Sequence, residues 1–460
     1  MRKDSFPKIL LLTVIILATN LSGNRATAQN ALDAFNHILP YPILQKKLTN
    51  GLNVVTVPFD SPGIAAFYIV MRVGSRDEIE KGKTGFAHFF EHMMFRGTEK
   101  YPNEKYNAVL KSIGASANAN TDNDRTIYHM TGNALKLEQM FELEADRFMN
   151  LKYSIGDFKA EAGAVKGEFT KNSSDPYEKL SEIMLNTAFD KHTYKHTTMG
   201  FFEDVVDMPN QYDYSLQFFK KFYRPEYATI VVVGDVKAEE VQNLATKYFG
   251  IWEPGNYISN IPVEPEQKET RYVHLKKENF PPYLNLNYKS PAFSDKEMDM
   301  PALDVLASIL FSDRSELYQK LVVKEQKVYS IDGGSNDSRD PNLFSVGASV
   351  KDEKDLQYVK DEFIKALEGF LTKPVDAKIL ADTKSNLKYK YSMSIDSPDA
   401  IANSLAHYIY LTGDPESLNR IYALYNKVTG EDLMRVIKKY FTSERLTIAT
   451  ISPGDTVGVK

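Results

Sequence analysis

The sequence predicts an α+β fold built twice, and three observations carry that expectation. Helical and strand patterns alternate along the 460 residues without the regular spacing of βαβ units, which excludes a doubly wound sheet. The segment FKKFYRPEYATIVVVGDV from Phe219 is matched by IKKYFTSERLTIATISPGD from Ile437, a shift of 218 residues, with helix end, aromatic pair, turn and β-branched strand in the same order. Between the two copies lies EPGNYISNIPVEPEQKET (Glu253–Thr270), which is rich in Pro, Gly and polar residues and has no period.

The elements follow in order. MRKDSFPK is a basic start, ILLLTVIILA (Ile9–Ala18) an apolar run too short to span a bilayer, and Ala26-Thr27-Ala28 a cleavage signal, so residues 1–28 are expected to be a secretory signal peptide. Its removal takes away four bases and one acid and leaves the mature chain near −8, which argues against nucleic-acid or membrane adhesion. Next, KKLTNGLNVVTVPFD and GIAAFYIVMRVGS alternate like strands of a hairpin around Asn50-Gly51 and Pro62-Gly63. KTGFAHFFEHMMF reads as a helix buried on more than one side, RTIYHMTG as a strand, LKLEQMFELEADRFMNL as a helix and ATIVVVGDV as a buried strand. The expected domains are 29–252, the linker 253–270, and a degenerate repeat at 271–460.

HFFEH puts His88 and His92 one helical turn apart with Glu91 beside them, so two imidazoles and one carboxylate emerge from one side. Such a set supplies two neutral nitrogen ligands and a base, the needs of hydrolytic zinc. Chance alone yields H-x-x-E-H in roughly one such sequence in a hundred. Leaving these groups buried and unliganded would cost about 1–3 kcal/mol apiece. Shifted into the second copy, the motif meets Leu306, Ile309 and Leu310 of PALDVLASILFSD, so only the first copy carries the chemistry. The chain has no cysteine, which excludes disulfides, thiol nucleophiles and thiolate ligands. Any metal ligand must then be His, Asp or Glu, and an acidic third is expected outside the motif; FKAEAGAVKGEFTKNSSDPYEKL offers Glu161 and Glu168, two turns apart on one face, although by themselves these acids read as a solvated helix face. No G-x-S-x-G elbow is present, so a serine hydrolase lacks support.

GFAHFFEHMMFRGTEKYP, GASANANTDNDRTIYHM, LEADRFMNL, FYRPEYATIVVVGDV and LYQKLVVKEQKVYS, in that order, resemble the pitrilysin/insulysin family of zinc metallopeptidases, and most of all its short bacterial members similar to mitochondrial processing peptidase. The resemblance implies two homologous α/β rolls forming a clamshell. It implies that His88, His92 and Glu168 bind one Zn²⁺ per chain, with Glu91 as catalytic base and Glu161 orienting a ligand histidine. It also implies that Asn118, Ala119, Asn120 and Thr121 form an edge strand on which an extended peptide pairs, and that Tyr329 stabilises the oxyanion once the second half closes over the first. Unfolded peptides would be the substrates of an exported, periplasmic or extracellular endopeptidase.

Three departures from the family pattern stand out. Val322 occupies the place of the clamp arginine seven residues before Tyr329, Ser315-Glu316-Leu317 replaces Ser-Arg-Leu, and Ala162 follows Glu161 where an arginine is usual. Loss of a bidentate donor weakens substrate positioning, so either the clamp is reduced or a second chain supplies it, in a homodimer or with a similar partner. The alternative is a non-catalytic peptide-binding subunit. His37, His129, His192, His196, His274 and His407 are expected to be structural or surface residues, with His192 and His196 in a polar surface loop.

Overall fold

The computed structural model describes residues 37–460; the expected signal peptide lies outside them. Six strands form the first sheet: β1 (Leu44–Lys47), β2 (Asn53–Pro58), β3 (Ile64–Met71), β4 (Ser116–Thr121), β5 (Thr126–Asn133) and β6 (Ala228–Gly234). Their order is β1-β2-β6-β3-β5-β4. The second sheet holds β7 (Arg271–Lys276), β8 (Tyr283–Lys289), β9 (Val328–Ser335), β10 (Leu343–Val350) and β11 (Leu446–Ser452), in the order β7-β11-β8-β10-β9. From β2 onward the two orders coincide, including one parallel pair, β2 with β6 and β7 with β11, among antiparallel neighbours. The fold is α+β, and the duplication extends to the register of its sheets.

One local expectation is corrected. β1 and β2 pair across Asn50-Gly51, but β2 and β3 are no hairpin, because β6 lies between them and pairs with both. ATIVVVG is buried along its whole length, and a strand with apolar side chains on both faces is stable only at the centre of a sheet.

Each sheet buries one face under helices of its own half. On the first sheet that layer includes the helix of the HFFEH motif (Phe86–Met93), with Phe86, Phe89, Phe90 and Met93 in the core. The opposite face is covered by the other half. Ile401, Leu405 and Ile409 of the Pro398–Thr412 helix pack on Val57, Tyr68, Val70 and Val231. Reciprocally, Leu180, Met184 and Ala188 of the Pro176–Ala188 helix pack on Ala449 and Ile451 of β11. Both bracing helices start with proline behind a capping side chain, Asp175 and Ser397, where a fixed φ and a missing N–H cost nothing. The two halves are thus each braced by a helix of the other.

Polar contacts fix the register of this exchange. Arg76 Nε donates to Asp340 Oδ2 at 2.6 Å, and His192 Nε2 lies 2.9 Å from the same oxygen. Burial acts against the Asp340 charge, but the bonds from His192 and Arg76 outweigh it and hold the carboxyl well below the usual carboxylate range. Tyr194 donates its hydroxyl proton to Asp124, which also accepts the Arg339 amide. Residues 253–270 carry no helix or strand, and Glu264 among them accepts the amides of Asp190, Lys191 and His192. His192 and His196 are therefore no surface loop. They flank a short 3-10 turn, each about 3% exposed, because partners distant in sequence bury a stretch that reads as polar.

Trp252, the sole tryptophan, sits in the first-half core, while helix is spread over both halves. Shared cores should make the halves unfold together, so urea curves from tryptophan fluorescence and far-UV circular dichroism should coincide. Two separated midpoints would mean that the braces do not couple the halves.

Candidate metal centre

The motif helix starts at Gly85, whose φ of 89° is left-handed, and a Cβ there would lie 2.8 Å from the Met199 carbonyl oxygen. No local side chain caps it. Instead the buried Glu78 carboxylate accepts from Gly85 N at 2.8 Å and Ala87 N at 2.7 Å, satisfying two free amides at the positive end of the helix. Burial nevertheless pushes the Glu78 carboxyl up to about 8. Phe90 stacks on Phe218 at 5.2 Å, and Phe89 meets Phe158 edge-on at 5.0 Å. Phe158 belongs to the Ile155–Asn172 helix, which opens with a Ser154/Asp157 capping box and buries Phe158, Ala162, Val165 and Phe169. Aromatic packing thereby fixes the helix of the histidines against the helix of the acids.

Across that seam His88, His92 and Glu168 converge, with one ligand atom from each inside 4.8 Å of the others. The two Nε2 atoms stand 3.3 Å apart, and Glu168 Oε2 is 3.5 Å from that of His92 and 3.8 Å from that of His88. Zn–N and Zn–O bonds of about 2.0–2.1 Å at tetrahedral angles give edges of about 3.3–3.4 Å, so the triangle has the size that a zinc ion requires. Buried imidazole nitrogens facing each other have at most one proton to share, and His88 Nδ1 is itself buried without a partner. Burial pulls the His88 imidazolium down to about 4, so the ring is neutral at pH 7 and its lone pair is free. The donor set fits zinc.

His92 Nδ1 lies 3.0 Å from Glu161 Oε1, and this hydrogen bond is the main cause holding its pKa up. It also turns Nε2 towards Glu168, the support that a ligand histidine needs. Arg96 Nε donates to Glu161 Oε2 at 2.5 Å. Burial opposes the Glu161 charge, while His92 and Arg96 together lower its pKa. Arg96 was not among the residues singled out from sequence, although it stands one turn beyond His92. Ala162, where the family pattern led to an arginine, is fully buried in the core; the guanidinium reaches Glu161 from the turn that follows the motif helix.

Glu91 points to the strand side. Its Oε2 accepts the Thr121 hydroxyl at 2.6 Å, and burial raises its pKa against that bond. Thr121 ends β4, which pairs with β5 on one side and is the last strand of its sheet, so Asn118, Ala119, Asn120 and Thr121 lie on an edge. Tyr329 stands apart from this cluster. It is 59% exposed on β9, the edge of the other sheet, with Lys351 Nζ 5.2 Å from its ring centroid, and no hydrogen bond joins it to the metal-site residues. Val322 packs against the second-half core, and Glu316, which stands where the Ser-Arg-Leu pattern has its arginine, is exposed in the helical turn that Ser315 caps.

Residues 54–200 match the model of the insulinase family, peptidase family M16, and residues 211–387 match the peptidase M16 inactive domain. The chain belongs to this family. It is 27% identical to the zinc protease PqqE of Helicobacter pylori over 98% of its length and all of that protein. A crystal structure of a protease from Helicobacter pylori superposes with a TM-score of 0.83 at 27% identity, covering 90% of this chain and all of that one. A probable mitochondrial-processing peptidase subunit beta of Schizosaccharomyces pombe is 23% identical over 88% of the chain and 90% of that protein.

If Glu161 orients His92, Glu161→Gln should weaken zinc affinity about 10–100-fold in a competition titration with a chromogenic chelator. Unchanged affinity would leave the Glu161 hydrogen bond without a role at the metal.

Proposed function

We propose that this chain is an exported zinc metalloendopeptidase that hydrolyses peptide bonds in unfolded polypeptides. The observation that carries this reading is the pairing of a zinc-sized His88–His92–Glu168 triangle with a separate carboxylate, Glu91, tied to an open sheet edge. A purely structural metal would be closed by a fourth protein ligand and would need no such base. Bound there, zinc supplies a Lewis acid and lowers the pKa of water to near neutrality. An extended peptide adds to β4 through backbone hydrogen bonds, which brings a scissile carbonyl past Glu91 independently of side-chain sequence. Glu91 accepts the proton of the attacking water and delivers it to the leaving amine, a task suited to a carboxyl raised by burial. Glu161 and Arg96 hold the His92 ring throughout.

The braced halves bear on Tyr329. Closing one valve over the other within a chain would open two shared cores, so we assign oxyanion stabilisation by this tyrosine to an assembly of two chains, either two copies or this chain with a similar one. Val322 in place of the clamp arginine supports the mixed pair, and with it a second reading in which this chain binds peptides but depends on its partner for turnover. Export rests on the basic start, apolar run and Ala26-Thr27-Ala28 of the N-terminal segment. No helix of the described residues is long and apolar enough to cross a membrane.

Glu91→Gln should retain about one zinc per chain and lose cleavage of an unfolded, fluorogenic peptide by at least about a hundredfold. Full activity in that variant would remove Glu91 from the mechanism. Activity that appears only when a similar chain is added would favour the second reading.

A further inference from the structure

On the peptidase reading above, the two histidines and Glu91 ride on the motif helix, while the peptide lies on β4. These are separate elements, and one residue touches both. Tyr128 stands on β5 directly opposite Ala119 of β4. Its hydroxyl lies 3.2 Å from the carbonyl oxygen of Phe90, the residue before Glu91, and 2.6 Å from the hydroxyl of Tyr223. A carbonyl only accepts, so Tyr128 donates to Phe90 and takes its own hydrogen bond from Tyr223. The Phe90 oxygen also accepts the Met94 amide at 3.0 Å, which leaves a lone pair for the tyrosine. The ring is held on all sides. It is 1% exposed, Phe148 meets it edge-on at 5.1 Å, and the Arg147 guanidinium, buried and paired with Glu144, lies 5.0 Å from its centroid.

The second half shows what these positions need for folding alone. In the first sheet Tyr128 stands opposite Ile69, and Ile69 opposite Ile230. The 218-residue shift takes Ile230 to Ile448, which stands opposite Leu286, and Leu286 stands opposite Val346. Val346 is therefore the counterpart of Tyr128. The same shift takes Tyr223 to Phe441, which packs on Phe344 with ring centroids 5.0 Å apart. Neither hydroxyl has an equivalent there. Buried hydroxyls gain little net stability over the water bonds they give up, so the core has no need of them. The chain carries the pair only in the half that holds the histidines.

We propose that Tyr128, backed by Tyr223, is a positioning residue that sets the spacing between the peptide on β4 and the metal-binding helix. Its backbone holds the strand that receives the peptide, through the β4–β5 ladder. Its hydroxyl holds the helix at the carbonyl next to Glu91. Both tyrosines are buried, so they act through the two elements and not on the peptide itself. This role rests on the peptidase reading for the ligand of β4. A displacement of about 1 Å between reacting groups costs about a hundredfold in rate, so a single hydrogen bond that fixes this spacing has a large effect on turnover.

The test compares the full, zinc-loaded chain with Tyr128→Phe and Tyr223→Phe, which keep the rings and remove one hydroxyl each. Tyr128→Phe should keep its zinc and lower kcat for an unfolded fluorogenic peptide about 10–100-fold, with KM changed by less than about twofold. Tyr223→Phe should act in the same direction and by less. A binding measurement free of turnover uses acetohydroxamate for the metal, a short peptide amide for β4, and the same peptide ending in a hydroxamate for both. In the parent the joined probe should bind at least about a hundredfold tighter than either part, because strand and metal are spaced for one ligand. Tyr128→Phe should cut that gain at least about tenfold and leave the binding of each part unchanged. An intact gain in Tyr128→Phe, or no gain in the parent, overturns the proposal. If the parent cleaves no peptide while the gain and its loss are both observed, the catalytic reading fails and the positioning role stands. If the parent cleaves and Tyr128→Phe keeps both kcat and the gain, the positioning role falls alone.

Discussion

Every other feature of this molecule depends on the reciprocal burial of its two sheets. A sheet has two faces, and the helices of each half cover one face of its own sheet. Each therefore lends one helix, Pro176–Ala188 or Pro398–Thr412, to the other. Apolar area on this scale stabilises by about 25 cal/mol per Å² removed from water, and it does so only while the halves stay together. The Arg76–Asp340 ion pair and the hydrogen bond from the Arg339 amide to Asp124 add direction to an attraction that has none. The consequence for function is a rigid platform on which β4, the motif helix and the acid helix hold fixed positions, as a preorganised site requires.

On that platform the His88–His92–Glu168 cluster is an exception to the packing rules around it. The motif helix is buried among phenylalanines, yet it carries two histidines whose ring nitrogens face each other at 3.3 Å. In the second half the two histidine positions hold Leu306 and Leu310, so the fold does not need histidine there. Polar groups retained in an apolar setting at a cost in stability point to chemistry. The chain of hydrogen bonds from Arg96 through Glu161 to His92 keeps one imidazole aimed, and Glu78 anchors the start of the helix.

Much of this was legible in the sequence because local periodicity determines it. HFFEH, the acid pair and the repeat are patterns of one or two helical turns or of one strand, and the structure places the helices and the central buried strand where those patterns led. What escaped was long-range. The β2–β3 connection looked like a hairpin because nothing near Pro62-Gly63 reveals that β6 enters between the strands. KHTYKHTT looked exposed because its partners, Asp340 and Glu264, come from distant segments. Arg96 carries no signal of its own in the sequence, because the family pattern has its arginine at position 162, which here is a core alanine.

The identity of the His88–His92–Glu168 triangle as a zinc site is open to direct examination by X-ray absorption at the zinc edge on the purified, zinc-loaded chain. Nitrogen and oxygen donors at about 2.0–2.1 Å, with the outer-shell scattering of two imidazole rings, are expected. A chain that takes up no zinc, or zinc without imidazole scattering, would contradict the assignment.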